Sequence, residues 1–147
     1  MSDFAGSYDH SLDGKGRVII PAAFRDQLGE NFTVGLSPDG NVIALYPYEE
    51  WEKSTQWMQR LHPMDKQGNA YKRLILGSAY TGNSMDLQGR VLLPAKLRIK
   101  FNLTKDIIFL GATDHLEIWD AALYNSEQEK AFDGREALLD YLHETYK

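Results

Sequence analysis

The chain contains an internal repeat with an offset of 73 residues. Moving the sequence by this offset places residues 13–25 on residues 86–98, and seven positions then carry the same residue type in both segments, namely Asp, Gly, Arg, Val, Pro, Ala and Arg. The same offset, without a gap, aligns further apolar positions along the chain. Because self-similarity at a fixed offset marks repeated supersecondary units, the sequence predicts two copies of one unit, over residues 7–54 and 83–126.

Neither copy is long enough to fold alone. A unit of roughly 45 residues buries too little surface for a stable core, so we expect the two copies to pair about a pseudo-twofold axis within one domain. Residues 55–82, between the copies, are predicted to form a helical linker. Residues 127–147, after the second copy, are predicted to form an acidic helical tail.

Both copies begin with the pattern Asp-x-x-Gly-Arg, at 13–17 and 86–90. Asp at the first position and Gly at the fourth are typical of a type I turn in which the glycine takes the left-handed conformation. Each turn is predicted to lead into a short buried strand, a helix that begins at a proline, and a second hairpin. The predicted strands are 17–20 and 90–93, the helices 21–28 and 94–101, and the hairpins 32–46 and 106–119.

Further helices are predicted outside these units, at 48–61, 65–77, 121–131 and 133–146. Asp133 and Glu136 have the spacing of a capping box at the start of the last helix. This helix is amphipathic, so we expect its apolar side to need a partner surface.

The composition excludes several classes of protein. The chain of 147 residues has no cysteine, which excludes disulfide scaffolds, thiolate zinc sites, iron–sulfur clusters and cysteine nucleophiles. Its four histidines show no metal-ligand spacing, and neither a cofactor motif nor a nucleophile–base pair is present. No apolar run reaches the roughly 18 residues of a membrane span. We therefore expect a cytoplasmic protein that is not an enzyme. We expect it to bind no cofactor, no metal ion, no membrane and no small-molecule substrate.

The net charge of −5 is unevenly distributed along the chain. Residues 1–105 hold 13 Lys and Arg against 11 Asp and Glu, whereas residues 106–147 hold 3 against 10. The acidity therefore belongs to the last part of the chain, and the rest is mildly basic. Such an asymmetry suggests a charged tail attached to a body that binds an anionic partner.

The two Asp-x-x-Gly-Arg loops allow three interpretations. As plain hairpin turns they require the aspartate and the glycine, but not an arginine at the same place twice. As a catalytic pair, Asp13 and Asp86 would share a proton, as in aspartic proteases. The arginine beside each aspartate opposes this interpretation, because it favours the ionised carboxylate. As nucleic-acid contacts, Arg17 and Arg90 can reach guanine edges while nearby groups hold phosphates.

Other cations lie on the short helices, namely Arg25, Lys96, Arg98 and Lys100. Arg25 and Arg98 match across the two copies, and they are either part of the binding surface or structural ion-pair partners. One chain offers few cations for tight binding at physiological salt. An oligomer that presents many loops would gain avidity without new contacts.

Several segments resemble the MraZ family of bacterial transcription regulators, in the order in which that family carries them. Residues 12–25 (LDGKGRVIIPAAFR) resemble its first motif, and residues 45–51 (LYPYEEW) resemble the end of its first repeat. Residues 73–79 (RLILGSA) resemble its link, and residues 86–94 (DLQGRVLLP) and 117–120 (EIWD) resemble its second repeat. The resemblance covers residues 4 to about 124 without large gaps.

This resemblance implies an α+β fold with a mainly β core, in which two AbrB-like swapped-hairpin repeats form one pseudo-twofold β-barrel body with peripheral helices. It implies a homo-oligomeric ring in the cytoplasm and nucleoid that binds double-stranded DNA at direct repeats upstream of its own operon, a cluster of division and cell-wall genes, and represses it. The DNA-contacting residues that it implies are Asp13, Lys15, Arg17, Asp86 and Arg90.

Two departures from the family pattern are visible. Gln88 stands in the second loop where the first has Lys15, so the second loop is expected to contribute less to binding. Ala5 stands where a basic residue is common in the family, so affinity is expected to depend more on the loops. An alternative function is a ring-forming module whose loops and acidic tail bind protein, without specific DNA binding.

Overall fold

The computed structural model describes residues 3–147, which form eight strands and six α-helices. The strands are β1 (Ser7–Ser11), β2 (Arg17–Ile19), β3 (Phe32–Leu36), β4 (Ile43–Tyr46), β5 (Tyr80–Asn83), β6 (Arg90–Leu92), β7 (Asp106–Gly111) and β8 (Leu116–Asp120). The helices are α1 (Ala22–Leu28), α2 (Tyr48–Gln56), α3 (Lys66–Gly77), α4 (Ala95–Lys100), α5 (Ala121–Asp133) and α6 (Arg135–Thr145), with a 3₁₀ turn at Trp57–Arg60 after α2.

The predicted strands and helices are confirmed, and most of their ends shift by one or two residues. The helix predicted over 48–61 is α-helical only as far as Gln56 and continues as the 3₁₀ turn. Pro21 and Pro94 stand immediately before α1 and α4, because their fixed φ suits a helix start and their missing N–H is not needed there. Gly29 and Asn102 follow these helices with positive φ values of 65° and 54°. The sequence did not predict β1 and β5, which occupy equivalent places in the two repeats.

Six of the strands form one antiparallel sheet, in the order β1-β7-β8-β4-β3-β5. The first strand of each repeat pairs with the other repeat, since β1 lies beside β7 and β5 lies beside β3. Exchanging the two repeats therefore leaves the strand order unchanged. The α+β class and the mainly β core are as predicted.

A closed barrel is not found among residues 3–147. The six-stranded sheet is open, with β1 and β5 at its edges, and β2 and β6 form a separate two-stranded antiparallel sheet. The two-stranded sheet is only three residues long because Pro21 and Pro94, which have no N–H to donate, follow soon after its strands.

Both repeats contribute to one hydrophobic core. Ile20 and Phe32 of the first copy and Leu93 and Phe109 of the second are fully buried in the same cluster. Burying each such side chain stabilises the fold by roughly 1.5–3 kcal/mol. Side chains of both copies thus pack against the inner face of β2 and β6.

The C-terminal helices lie at the periphery. The predicted capping box is wrong: α5 continues through Asp133, and α6 begins after Gly134 with no capping hydrogen bond from a side chain. The apolar side chains of α6 remain about half exposed in the single chain, among them Leu138, Leu139 and Leu142. No helix among the described residues is long and apolar enough to cross a bilayer.

Candidate nucleic-acid interface

The segment Asp13–Arg17, called loop 1 below, is a tight hairpin turn. The N–H of Gly16 donates to the carbonyl of Asp13 at 3.1 Å, and the N–H of Asp13 donates to the carbonyl of Arg17 at 2.9 Å. Gly16 has a φ of 80°, in the left-handed region that glycine adopts without strain. The turn predicted from the Asp-x-x-Gly spacing is therefore confirmed.

The Asp13 carboxylate fixes the shape of loop 1 and the direction of its arginine. Its Oδ1 atom accepts hydrogen bonds from the backbone N–H groups of Lys15 at 2.9 Å and Arg17 at 2.8 Å. Its Oδ2 atom accepts from Nε of Arg17 at 2.8 Å. Led by the backbone N–H of Arg17, these hydrogen bonds lower the pKa of Asp13 to about 2. The carboxylate is thus ionised at neutral pH and holds the guanidinium by one edge.

The segment Asp86–Arg90, called loop 2, has the same geometry in the second repeat. Oδ1 of Asp86 accepts from the N–H groups of Gln88 at 2.9 Å and Arg90 at 2.8 Å, and Oδ2 accepts from Nε of Arg90 at 2.7 Å. The backbone N–H of Arg90 is the main cause that lowers the pKa of Asp86. The matching contacts show that the repeat in the sequence is also a repeat in local structure.

The two loops differ at their tips. Loop 2 carries Leu87, which is 100% exposed, where loop 1 has Gly14. Gln88 takes the place of Lys15, and its Oε1 accepts from Nη2 of Arg90 at 3.2 Å. One terminal nitrogen of Arg90 is thereby engaged within loop 2, whereas neither Nη atom of Arg17 has a hydrogen-bond partner among residues 3–147.

The pairing of β2 with β6 brings the two loop arginines onto one face. Arg17 lies opposite Leu92, and Ile19 lies opposite Arg90, while Val18 and Val91 pair between them. Because side chains alternate along a strand, the two valines face the core and the other four residues face outward. The burial pattern agrees, since both valines are buried and both arginine side chains are about one-third exposed.

The loops stand at opposite ends of this two-stranded sheet and are bonded to it from both sides. The carbonyl of Gly16 accepts from the N–H of Leu93, and the carbonyl of Gly89 accepts from the N–H of Ile20, each at 2.9 Å. Arg17 and Arg90 are offset by two residues along the strands, which is roughly 7 Å at 3.3 Å per residue. The structure therefore places both predicted arginines on one surface, which is called the double site below.

This geometry is opposite to what a shared-proton pair requires. A dyad raises the pKa of one carboxyl group, whereas the hydrogen bonds from Arg17 and Arg90 lower the pKa values of Asp13 and Asp86. Each aspartate is instead paired with the arginine of its own loop. The catalytic interpretation of the two aspartates is therefore wrong.

Cavities and ionisable clusters elsewhere do not compete with this surface. An apolar hollow lined by aromatic residues of α2, the 3₁₀ turn and α3, among others, measures about 200 Å³, which is smaller than the roughly 300–1,000 Å³ of ordinary ligand pockets. Two larger depressions, of about 420 and 510 Å³, are lined mainly by polar side chains, whereas ligand pockets are mostly apolar. Among residues 3–147 no group of three or more His, Asp or Glu residues is arranged to hold a metal ion.

The sequence missed part of this surface. Ile19 and Leu92, which the strand pattern predicts to be buried, are 43% and 60% exposed beside the two arginines. Arg25 and Arg98, considered as ion-pair partners, form no salt bridge within residues 3–147 and instead donate from Nε to the carbonyls of Ile20 and Leu93, at 2.8 and 2.9 Å. The equivalent positions of Arg25 and Arg98 in the two repeats indicate a shared role. The groups that these arginines contact depend on tertiary structure and cannot be read from the sequence.

Comparisons with known proteins agree along nearly the whole chain. The family model described as "MraZ protein, putative antitoxin-like" matches residues 4–74 and again residues 75–139. The transcriptional regulator MraZ of Lachnoclostridium phytofermentans is 36% identical over 141 residues, which is 96% of each chain. Its namesake from Pediococcus pentosaceus is 37% identical over 142 residues, covering 94% of this chain and 98% of the relative. The protein of that name from a Thermoanaerobacter species is 37% identical over 141 residues, with 94% and 97% covered.

Proposed function

The chain belongs to the MraZ family of transcriptional regulators, and from this membership we propose that it regulates transcription by binding specific DNA sequences through loops 1 and 2. The observation that carries the proposal is the pairing of β2 with β6, which presents Arg17 and Arg90 on one exposed face. Asp13 and Asp86 order the loops, and Lys15 adds a charge beside Arg17.

The two-stranded sheet has the size and chemistry to read a major groove. The major groove of B-DNA is about 12 Å wide and admits a two-stranded β-ribbon. Each loop arginine is held at Nε by an aspartate. This leaves both terminal nitrogens of Arg17, and Nη1 of Arg90, whose Nη2 donates to Gln88, to meet the O6 and N7 acceptors of guanine. The aliphatic side chains of Ile19 and Leu92, exposed on the same face, suit the methyl group of thymine.

We also propose how the chain is organised and assembled. The unchanged strand order on exchange of the repeats supports a pseudo-twofold relation between units 7–54 and 83–126, with a tail at 127–147. The linker at 55–82 then includes the first residues of β5, the strand that matches β1. A homo-oligomeric ring of such chains would hold several double sites against direct repeats in DNA and gain avidity. Its target would be the region upstream of its own operon, a cluster of division and cell-wall genes that it represses. The protein would act in the cytoplasm, at the nucleoid.

Fluorescence anisotropy with purified protein tests this proposal. The upstream duplex and a scrambled duplex of equal length are titrated at about 0.15 M salt, where non-specific binding is weak, with Kd of about 10⁻⁴–10⁻⁶ M. We expect the upstream duplex to bind about a thousandfold more tightly. Arg17→Ala and Arg90→Ala should each weaken that binding by about 10- to 100-fold, whereas Arg60→Ala, which removes an exposed cation on the 3₁₀ turn, should change it little.

Equal and weak binding to both duplexes would contradict the proposal. The alternative of a ring-forming protein-interaction module would then be preferred. The dependence on salt separates the two, because DNA binding falls steeply with salt as counterions return to the phosphates.

A further inference from the structure

Arg25 and Arg98 occupy equivalent positions on α1 and α4, and each packs against the loop of the other repeat. A Cβ atom built on Gly89 would stand 2.6 Å from Cζ of Arg25, and one built on Gly16 would stand 2.5 Å from Cζ of Arg98. The guanidinium groups thus occupy the space that a side chain would need at each glycine. Gly16 and Gly89 are both buried under this contact.

We call each contact between an arginine of one repeat and the loop of the other a crossed contact. Hydrogen bonds to the backbone stabilise both crossed contacts. The carbonyl of Ile20 accepts from Nε of Arg25, and the N–H of Ile20 donates to the carbonyl of Gly89. The same arrangement holds in the other direction, where the carbonyl of Leu93 accepts from Nε of Arg98 and its N–H donates to Gly16. Ile20 and Leu93 are fully buried, so each guanidinium is held on a rigid base.

We propose that Arg25 is a positioning residue for Arg90, and Arg98 for Arg17, so that each repeat orients the DNA-contacting arginine of the other. This inference rests on the proposed function of the loops. Gly89 directly precedes Arg90 and holds a φ of 82°, which sets the direction in which the arginine leaves the turn. Glycine is the residue with the most backbone freedom, and the packed guanidinium restricts it. Removing the guanidinium would add an ordering cost to DNA binding.

A double-mutant cycle measured by DNA affinity tests the crossed arrangement. The Kd for the upstream duplex is measured for Arg25→Ala and Arg98→Ala, each alone and combined with Arg17→Ala or Arg90→Ala. We expect Arg25→Ala to weaken binding by about threefold to tenfold on its own and in the Arg17→Ala background. It should weaken binding by less than about twofold once Arg90 is alanine, because contacting residues couple and independent ones add. Arg98→Ala should show the reverse pattern.

Other outcomes overturn the inference. If Arg25 bound a phosphate directly, Arg25→Ala would cost the same factor in both backgrounds and would lower the slope of log K against log salt by about one. If Arg25 served only its own repeat, it would couple to Arg17. Arg25→Lys keeps the charge but not the planar group that packs on Gly89, so we expect it to behave like Arg25→Ala with an unchanged salt slope.

Hydrogen exchange separates a failure of this inference from a failure of the proposed function. In Arg25→Ala, peptides that span loop 2 should exchange faster while peptides that span loop 1 stay as in the wild type, and Arg98→Ala should do the opposite. Unchanged exchange in both loops would overturn the inference even if Arg17 and Arg90 prove essential for DNA binding. Conversely, Arg17→Ala and Arg90→Ala could leave DNA affinity unchanged while hydrogen exchange shows the crossed pattern. That result would contradict the proposed function but not the positioning of each loop by the arginine of the other repeat. Protection of β3 and β7 verifies that each variant is folded.

Discussion

Nε of Arg17 lies 2.8 Å from Oδ2 of Asp13, and the backbone N–H of Arg17 donates to the other oxygen of the same carboxylate. A negative group is therefore built into the surface proposed to meet DNA. We predict that Asp13→Ala weakens binding to the upstream duplex several-fold, although it removes a negative charge, because the turn and its arginine lose their order. Asp9→Ala removes an exposed aspartate of β1 and serves as the control. Tighter binding by both variants would show that charge alone matters.

The ionisation of Asp13 gives loop 1 a defined pH dependence. The pKa is lowered to about 2 in the folded chain, chiefly by the backbone N–H of Arg17, from a usual value of 3.8. Because the folded pKa is depressed, the contribution of Asp13 to stability is present above its unfolded pKa and is lost as pH falls through the folded value. We predict that the Asp13 carboxyl ¹³C resonance titrates near pH 2 and is flat from pH 5 to 8. A midpoint near 4 would contradict the hydrogen-bonded loop.

His115 gives the fold a pH dependence of opposite sign. It is buried at 6% exposure, with Nδ1 2.7 Å from Oδ1 of Asp114 and Nε2 2.9 Å from Oε2 of Glu117. Burial lowers its pKa, but the hydrogen bonds to Glu117 and Asp114 together outweigh burial, and the pKa lies above 6.5. The stabilisation is therefore complete below pH 6.5 and is lost as pH rises through the folded pKa.

We predict that the Tm of the wild type falls between pH 6 and 9 by more than that of His115→Gln. Thermal unfolding followed by circular dichroism at several pH values measures the difference. Parallel curves for the two proteins would show that His115 is not charged in the folded chain.

Gly16 and Gly89 should tolerate no side chain. Gly16→Ala and Gly89→Ala place a Cβ against the guanidinium groups of Arg98 and Arg25 and force alanine to a φ near 80°. We predict that each lowers the free energy of unfolding by about 1–3 kcal/mol and also weakens DNA binding. Gly14→Ala is the matched control, since its Cβ meets no atom within 4 Å and its φ is ordinary. Urea denaturation compares the three, and equal stability would contradict the crossed packing.

The difference between Lys15 and Gln88 should appear in the salt dependence of binding. We predict that Lys15→Gln lowers the slope of log K against log salt by about one for each chain bound, and that Gln88→Lys raises it by a similar amount. Either substitution gives the two loops the same residue type at this position. The backbone hydrogen bonds to Asp13 and Asp86 are retained in both variants. Unchanged slopes would place these side chains away from the phosphates.

Local sequence patterns were sufficient to predict most elements, because turns and helix ends depend on neighbouring residues. The Asp-x-x-Gly spacing predicts the turns at Gly16 and Gly89, and Pro21 and Pro94 predict the starts of α1 and α4. β1 and β5 have no such signature, since they are edge strands defined by pairing with the other repeat.

Most of what the sequence did not predict depends on contacts between the repeats. Arg25 and Arg98 were recognised as equivalent, but the loop that each one contacts follows from the register of β2 with β6. The same register places Ile19 and Leu92 on the exposed face. The open sheet, in place of the expected barrel, likewise depends on which strands of the two repeats pair.

The exchange of first strands between the repeats constrains how the protein is made. Ser7 pairs with Leu110 and Ser11 with Asp106, so β1 leaves the ribosome about a hundred residues before its partner. At roughly 5–20 residues per second, β1 waits on the order of 5 to 20 seconds with its hydrogen-bonding edge unpaired. The first repeat therefore completes its structure only after β7 has been synthesised, and a nascent chain stalled before β7 would present an unpaired strand to chaperones and proteases.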